Sequence, residues 1–170
     1  GQISCAIGPL GWIKAYKIAE YVTHVLDFPM GNFTSAMHFV MNRRSWDGLT
    51  VSQKQMMLNA MPSSSAMASI EGYAKDESIG INMLKKRNAV FTKGGKEFQV
   101  LMDSYLDKDI EAVMSGAKKR GVKNANEIIS AYRANVKKWE GILAGKTRDK
   151  ETVQKLLHKH IYSKIDAAKL

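Results

Sequence analysis

The stretch "FTSAMHFVMNRRSWDGLTVSQKQMML", residues 33–58, decides how this chain is read. It opens with β-branched, aromatic and other apolar residues, runs into Asn42, Arg43 and Arg44, and turns through Trp46-Asp47-Gly48-Leu49. After the turn the pattern changes. Thr50 and Gln53 stand at the spacing of a capping box, in which the Thr hydroxyl accepts from the third helical amide and the Gln side chain returns to the Thr amide. The stretch therefore predicts a strand that stops and a long helix that starts at Thr50.

Working outward towards the amino end, "YVTHVLDF" is a second strand candidate, separated from the first by the break "PMGN". "WIKAYKIAEYV" predicts a short helix, "GPLG" breaks regular structure, and residues 2–7, "QISCAI", read as a buried strand. Towards the carboxyl end, Met56, Met57, Ala60 and Met61 are expected on the inner face of the Thr50 helix. Beyond "PSSS" the stripe resumes at Met67, Ile70, Tyr73, Ala74, Ile81 and Leu84. Pro62 lacks an amide hydrogen and is expected to kink or split this helix. Three more helices are marked by Phe98 through Met114, by Ile128 through Leu143 behind an Asn124/Glu127 capping pattern, and by Val153 through Ile161 from about Asp149. Gly94-Gly95, Gly116, Gly121 and Gly145 are expected to separate them. The ten Met residues fall at helical spacing, which suits core filling.

With 170 residues, 45% hydrophobic and 25% charged, the chain has a globular composition, and its apolar runs are too short for a membrane span. The net charge of +10 is uneven. Lys and Arg balance Asp and Glu at 6 each over residues 1–84, but number 20 against 10 over residues 85–170. The basic residues are interleaved with acids along helices, a solvated-face pattern, and cluster only in "KKR" at 85–87 and 118–120.

Chemical motifs are sparse. The single cysteine, Cys5, permits no internal disulfide and sits in an apolar setting that predicts a buried structural thiol. His158 and His160 are two apart on a helix and point to different faces, which disfavours a shared metal. His24 and His38 lie in strand candidates. Asp76-Glu77 and Asp107/Asp109 lie on charged helix surfaces with no apolar pocket to raise a pKa. "NFT" at 32–34 fits a glycosylation acceptor, a motif too common to weigh. No phosphate loop or dinucleotide fingerprint occurs. The residues alone thus describe an α-rich α/β chain that binds and does not catalyse, with no cofactor.

Three segments carry a family resemblance. "FVMNRRSWDGLTVSQKQMML" resembles the element of DctP-like solute-binding proteins of TRAP (tripartite ATP-independent periplasmic) transporters in which a strand ending Asn-Lys or Asn-Arg meets Trp-Asp-x-Leu and a capped helix. "GQISCAIGPLGWIKAYKIAEYVTHV" is similar to that family's Gly-Gln-[Val/Ile]-Asp-Gly element, helix and Tyr-Val-Thr strand. "ANEIISAYRANVKKWEGIL" with "LLHKHIYSKIDAAKL" looks like the end of its longer members.

The resemblance implies a helix-rich fragment of a two-lobed, type II-like periplasmic-binding-protein α/β fold with a few strands near the start, cut from the carboxyl-terminal portion. It divides the chain into residues 1–49 (strands and hinge), 50–93 (a long helix crossing between lobes) and 94–170 (carboxyl-terminal helices). It implies a bacterial periplasmic protein that closes on a small organic acid, hands it to the TRAP membrane permease and makes no covalent change. Further implied partners are the amino-terminal remainder and a second copy held through the carboxyl-terminal helices, and no nucleic acid.

The family's carboxylate-clamping arginine falls upstream of residue 1, so Arg43 and Arg44 do not inherit its role. The implied solute-contacting positions are Phe28, Asp27, Asn32 and Gly8. The chain departs from the family at Ser4-Cys5 and at Gly8, where relatives carry a polar residue, which implies a larger or less polar solute or a slot left unused. Against this reading stand a basic helical module for nucleic acid or another partner, motivated by the charge after residue 84, and a hydrolase using Cys5.

Overall fold

The computed structural model describes residues 2–28, 30 and 39–170, with Asp107 described by its backbone alone. In chain order the described residues form α1 (Gly11–Ala15), β1 (His24–Asp27), α2 (Arg43–Asp47) and α3 (Val51–Ala66). A π-helical segment (Met67–Ala74) leads directly into α4 (Lys75–Lys86). β2 (Val90–Lys93), α5 (Lys96–Lys119), α6 (Ala125–Leu143) and α7 (Lys150–His160) follow. Short 3₁₀ turns at Tyr162–Lys164 and Ala167–Lys169 complete the order. The chain is helix-rich, with one small parallel sheet of two strands. Parallel strands need a crossover, and here it contains α2, α3, the π segment and α4.

Two compact units divide the residues. The first comprises Gly1–Val25, Pro29–Val90 and Thr147–Leu170. Its core is built where α1 packs on α4 and α3 packs on α7 and both 3₁₀ turns. Ile13, Ala19, Leu58, Ala66, Leu84 and Ala167 are its buried apolar residues. At the α1–α4 crossing the backbones approach closely because position 80 has no side chain: a Cβ on Gly80 would collide with the Leu10 carbonyl. Lys14 pairs with Asp76 across the same crossing. Both groups remain partly exposed, so the pair adds little to stability.

The start of α3 follows its sequence. Gln53 donates its amide to the Thr50 hydroxyl at 3.2 Å, and Thr50 donates its amide to Gln53 Oε1 at 2.9 Å. Pro62 does not split the helix as expected. It is fully buried, α geometry continues four residues past it to Ala66, and the departure from α bonding begins only at Met67. Upstream, "NRRSWD" is not a bare turn. Asn42 accepts from the Arg44 amide at 2.9 Å, and Arg43 grips Asp47 through both carboxylate oxygens at 2.9 and 3.0 Å, closing the single turn of α2.

The second unit comprises Leu26–Phe28 and Phe91–Lys146. Phe28 meets Phe98 edge to face, with ring centroids 4.7 Å apart. Gly94 lies so close beneath Phe28 that a Cβ there would overlap the ring. α5 packs on α6. Even so, Ile128, Tyr132 and Val136 on the apolar stripe of α6 stay 52%, 59% and 42% exposed. Ala125 is the one buried apolar residue among this unit's described residues.

Several expectations need correction. Residues 2–7 form no strand, and Ile3 and Ile7 are exposed. Cys5 is exposed, not buried, because nothing packs over that extended segment among the described residues. Met56, Met67 and Tyr73 face outward, and Leu58, Pro62 and Ala66 form the inner face of α3 instead. Gly116 lies within α5 and separates nothing. Gly94-Gly95 separates β2 from α5, and Gly121 and Gly145, at φ of 81° and 67°, end α5 and α6. Asn124 makes no side-chain cap, so the anticipated capping box of α6 is not formed. Of the expected early strands, β1 is present. Residues 39–42 are irregular, and the rest of "FTSAMHFVMN" lies outside the described residues. The second strand of the sheet, β2, comes much later in the chain.

Candidate functional site

Two recesses lie within the first unit. The larger, about 290 Å³, is walled by Trp46 of α2, by Met57, Leu58, Met61 and Ser65 of α3, and by Phe39 and Tyr162. α2 delivers Trp46 to it, and the capping box fixes the start of the helix that supplies the thioether and Leu wall. At its edge the Trp46 indole donates to the Leu170 carbonyl at 3.2 Å, and Lys54 Nζ donates to the same oxygen at 3.3 Å while lying 5.4 Å from the indole ring centre. Such a lining holds apolar or aromatic groups. Among the described residues it presents no acid–base pair.

The smaller recess, about 210 Å³, lies between α3 and α7. Asn59 and Pro62 come from α3, and Gln154, Lys155 and His158 come from α7. Gln154 and His158 are four apart and therefore share a face of the helix. Asn59 Oδ1 is already engaged by Gln55 Nε2 at 3.0 Å, which leaves the Asn59 amide hydrogens for other acceptors. The α7 backbone that positions this set is fixed at its start by Asp149. Its carboxylate accepts from the Thr152 amide at 2.8 Å and from the Thr152 hydroxyl at 3.0 Å. The amide hydrogen bond, followed by the hydroxyl one, holds the Asp149 carboxyl below its ordinary pKa.

The described positions implied to contact solute fall in both units. Asp27 and Phe28 are consecutive in the second unit, with Phe28 packed on Phe98 and Asp27 exposed at the end of β1. Gly8 belongs to the first unit, where a Cβ would come within 2.6 Å of the Trp12 ring. Asn32 lies outside the described residues, as do His38 and the "NFT" acceptor. His24 is exposed and its Nδ1 lies 3.0 Å from the neighbouring Thr23 hydroxyl. Among the described residues no three His, Cys, Asp or Glu side chains gather as a metal site, and no helix is long and apolar enough to cross a membrane.

His158 shares a recess lining with Gln154 and Lys155, a grouping that weighing it against His160 alone does not find. The i, i+4 spacing on a capped helix was the available signal. The link to Asn59, from a distant helix, left none. No protein-family model, curated protein or solved structure matches this chain.

Proposed function

We propose that the chain is the carboxyl-terminal portion of a TRAP-type extracytoplasmic solute-binding protein, which captures a small organic acid by lobe closure and passes it to a membrane permease without covalent chemistry. The observation that carries this reading is the ordered set of segments beginning at Gly1, Phe39 and Ala125 that resemble the family's elements. Two physical features support it. A two-stranded parallel sheet is marginal alone, since parallel sheets are ordinarily wider and covered on both faces, so β1 and β2 suit the edge of a larger lobe. The exposed apolar residues Ile3, Ile7, Ile128 and Tyr132 suit burial against further protein, either the amino-terminal lobe or a second copy.

In this reading solute contacts favour the closed arrangement, and the solute's identity is set largely by residues that precede Gly1. Phe28, Asp27, Asn32 and Gly8 are the proposed contributions of this chain. Native mass spectrometry of the protein recovered from an extracytoplasmic fraction tests the proposal. A complex carrying a small organic acid supports it. Recovery from the cytosol bound to nucleic acid overturns it in favour of a basic interaction module.

A further inference from the structure

We propose that the recess between α3 and α7 is a binding site for a small oxyanion, a phosphate or carboxylate group, held by Lys155, His158, Gln154 and Asn59. The recess lies wholly within one compact unit and does not depend on lobe closure, so this inference stands apart from the transport reading.

The lining is one-sided in its chemistry. Of its five residues one is the buried Pro62, which forms an apolar wall, and the other four carry hydrogen-bond donors. Among the described residues no carboxylate lines it. The acids near the start of α7 are occupied elsewhere: Glu71 and Glu151 both face Lys150, at 3.8 and 3.6 Å. Lys155, Gln154 and His158 make no hydrogen bond or ion pair among the described residues, so their donors are uncommitted.

Asn59 is oriented by Gln55, which takes its oxygen and leaves its amide hydrogens as the group to offer. A point-charge ammonium beside neutral donors matches an oxyanion, whose several lone pairs accept from different directions at once. At about 210 Å³ the recess has room for such a group and is open to solvent, with Asn59, Lys155 and His158 exposed. The backbone beneath these exposed side chains is held, since the Asp149 cap fixes the start of α7 and α3 packs on α7.

The test is a titration of the isotope-labelled full chain with inorganic phosphate, and separately with acetate, at constant ionic strength set by chloride. The expected result is that the His158 ring and the Asn59 side-chain amide resonances shift together and saturate. Lys155→Ala should weaken the binding roughly tenfold, the scale of one charge-assisted hydrogen bond. Gln154→Leu should weaken it less, and Lys119→Ala on α5 should leave it unchanged. Tighter saturation by phosphate assigns the site to phosphoryl groups, and tighter saturation by acetate assigns it to carboxylates. Shifts that rise linearly with both anions, or that saturate equally well in Lys155→Ala, overturn the proposal, because they report only the ion atmosphere of a basic protein.

Discussion

The Trp46 indole N–H donates to the backbone carbonyl of Leu170, joining the short helix before the capping box to the last residue of the sequence. With Lys54 on the same oxygen and Ala167 only 3% exposed, residues 161–170 are an integral part of the first unit. Removing residues 166–170 should therefore lower stability measurably in denaturant. Trp46→Phe, which removes the donor together with part of the ring, should cost at least the roughly 0.5–1.5 kcal/mol of the hydrogen bond. Equal stability of the truncated and full chains by urea unfolding would contradict this role.

Gly80 sets the α1–α4 distance. Gly80→Ala would ordinarily strengthen a helix interior by reducing unfolded-state freedom. Here the added methyl meets the Leu10 carbonyl, so the substitution should instead destabilise by about 1–3 kcal/mol. Gly141→Ala, which has open space at the same kind of helical position, is the matched comparison and should be neutral or stabilising.

Thr50→Ala removes the acceptor for the Gln53 amide and half of the reciprocal cap. The expected loss is about 1 kcal/mol. Thr50→Ser, which keeps the hydroxyl, should recover most of it. Thermal unfolding of the three proteins side by side provides the check.

Asp149 predicts an acid-side effect. Its folded pKa is depressed by the Thr152 amide and hydroxyl, so its contribution is present above the pKa of an unfolded aspartate and is lost as pH falls through the folded value. Asp149→Asn retains a capping oxygen without that titration. The fall in stability across this acidic range should be shallower in Asp149→Asn than in the parent, as measured by denaturant midpoints at successive pH values.

How far the sequence could be read depended on how local the cause was. The Thr50 box, the start of α7 at Asp149 and the buried Leu84 were legible because caps and helical stripes act within a few residues. β2 was missed because four residues without alternation, Val90 to Lys93, cannot be told from a helix end without the partner strand, and that partner lies across the whole crossover. α2 was read as a turn because its closure depends on side-chain bonds of Asn42, Arg43 and Asp47, not on periodicity. The α3–α7 recess was invisible because Asn59 and His158 meet only through tertiary packing.

The misplaced stripe at Met67 and Tyr73 has a different origin. From Val51 to Lys86 the helical rod is unbroken, yet eight of its residues bond in the wider i→i+5 manner, so each spans less angle than in an α-helix. The segment thus acts as a phase shifter: it lets one rod show α7 the side bearing Leu58 and Ala66, and then, after a slip in rotation, show α1 the side bearing Gly80 and Leu84. The facing of Gly80 towards Leu10 therefore depends on the number of residues this wider segment holds, and a change of length that the segment failed to absorb would turn a bulkier neighbour into the α1–α4 crossing.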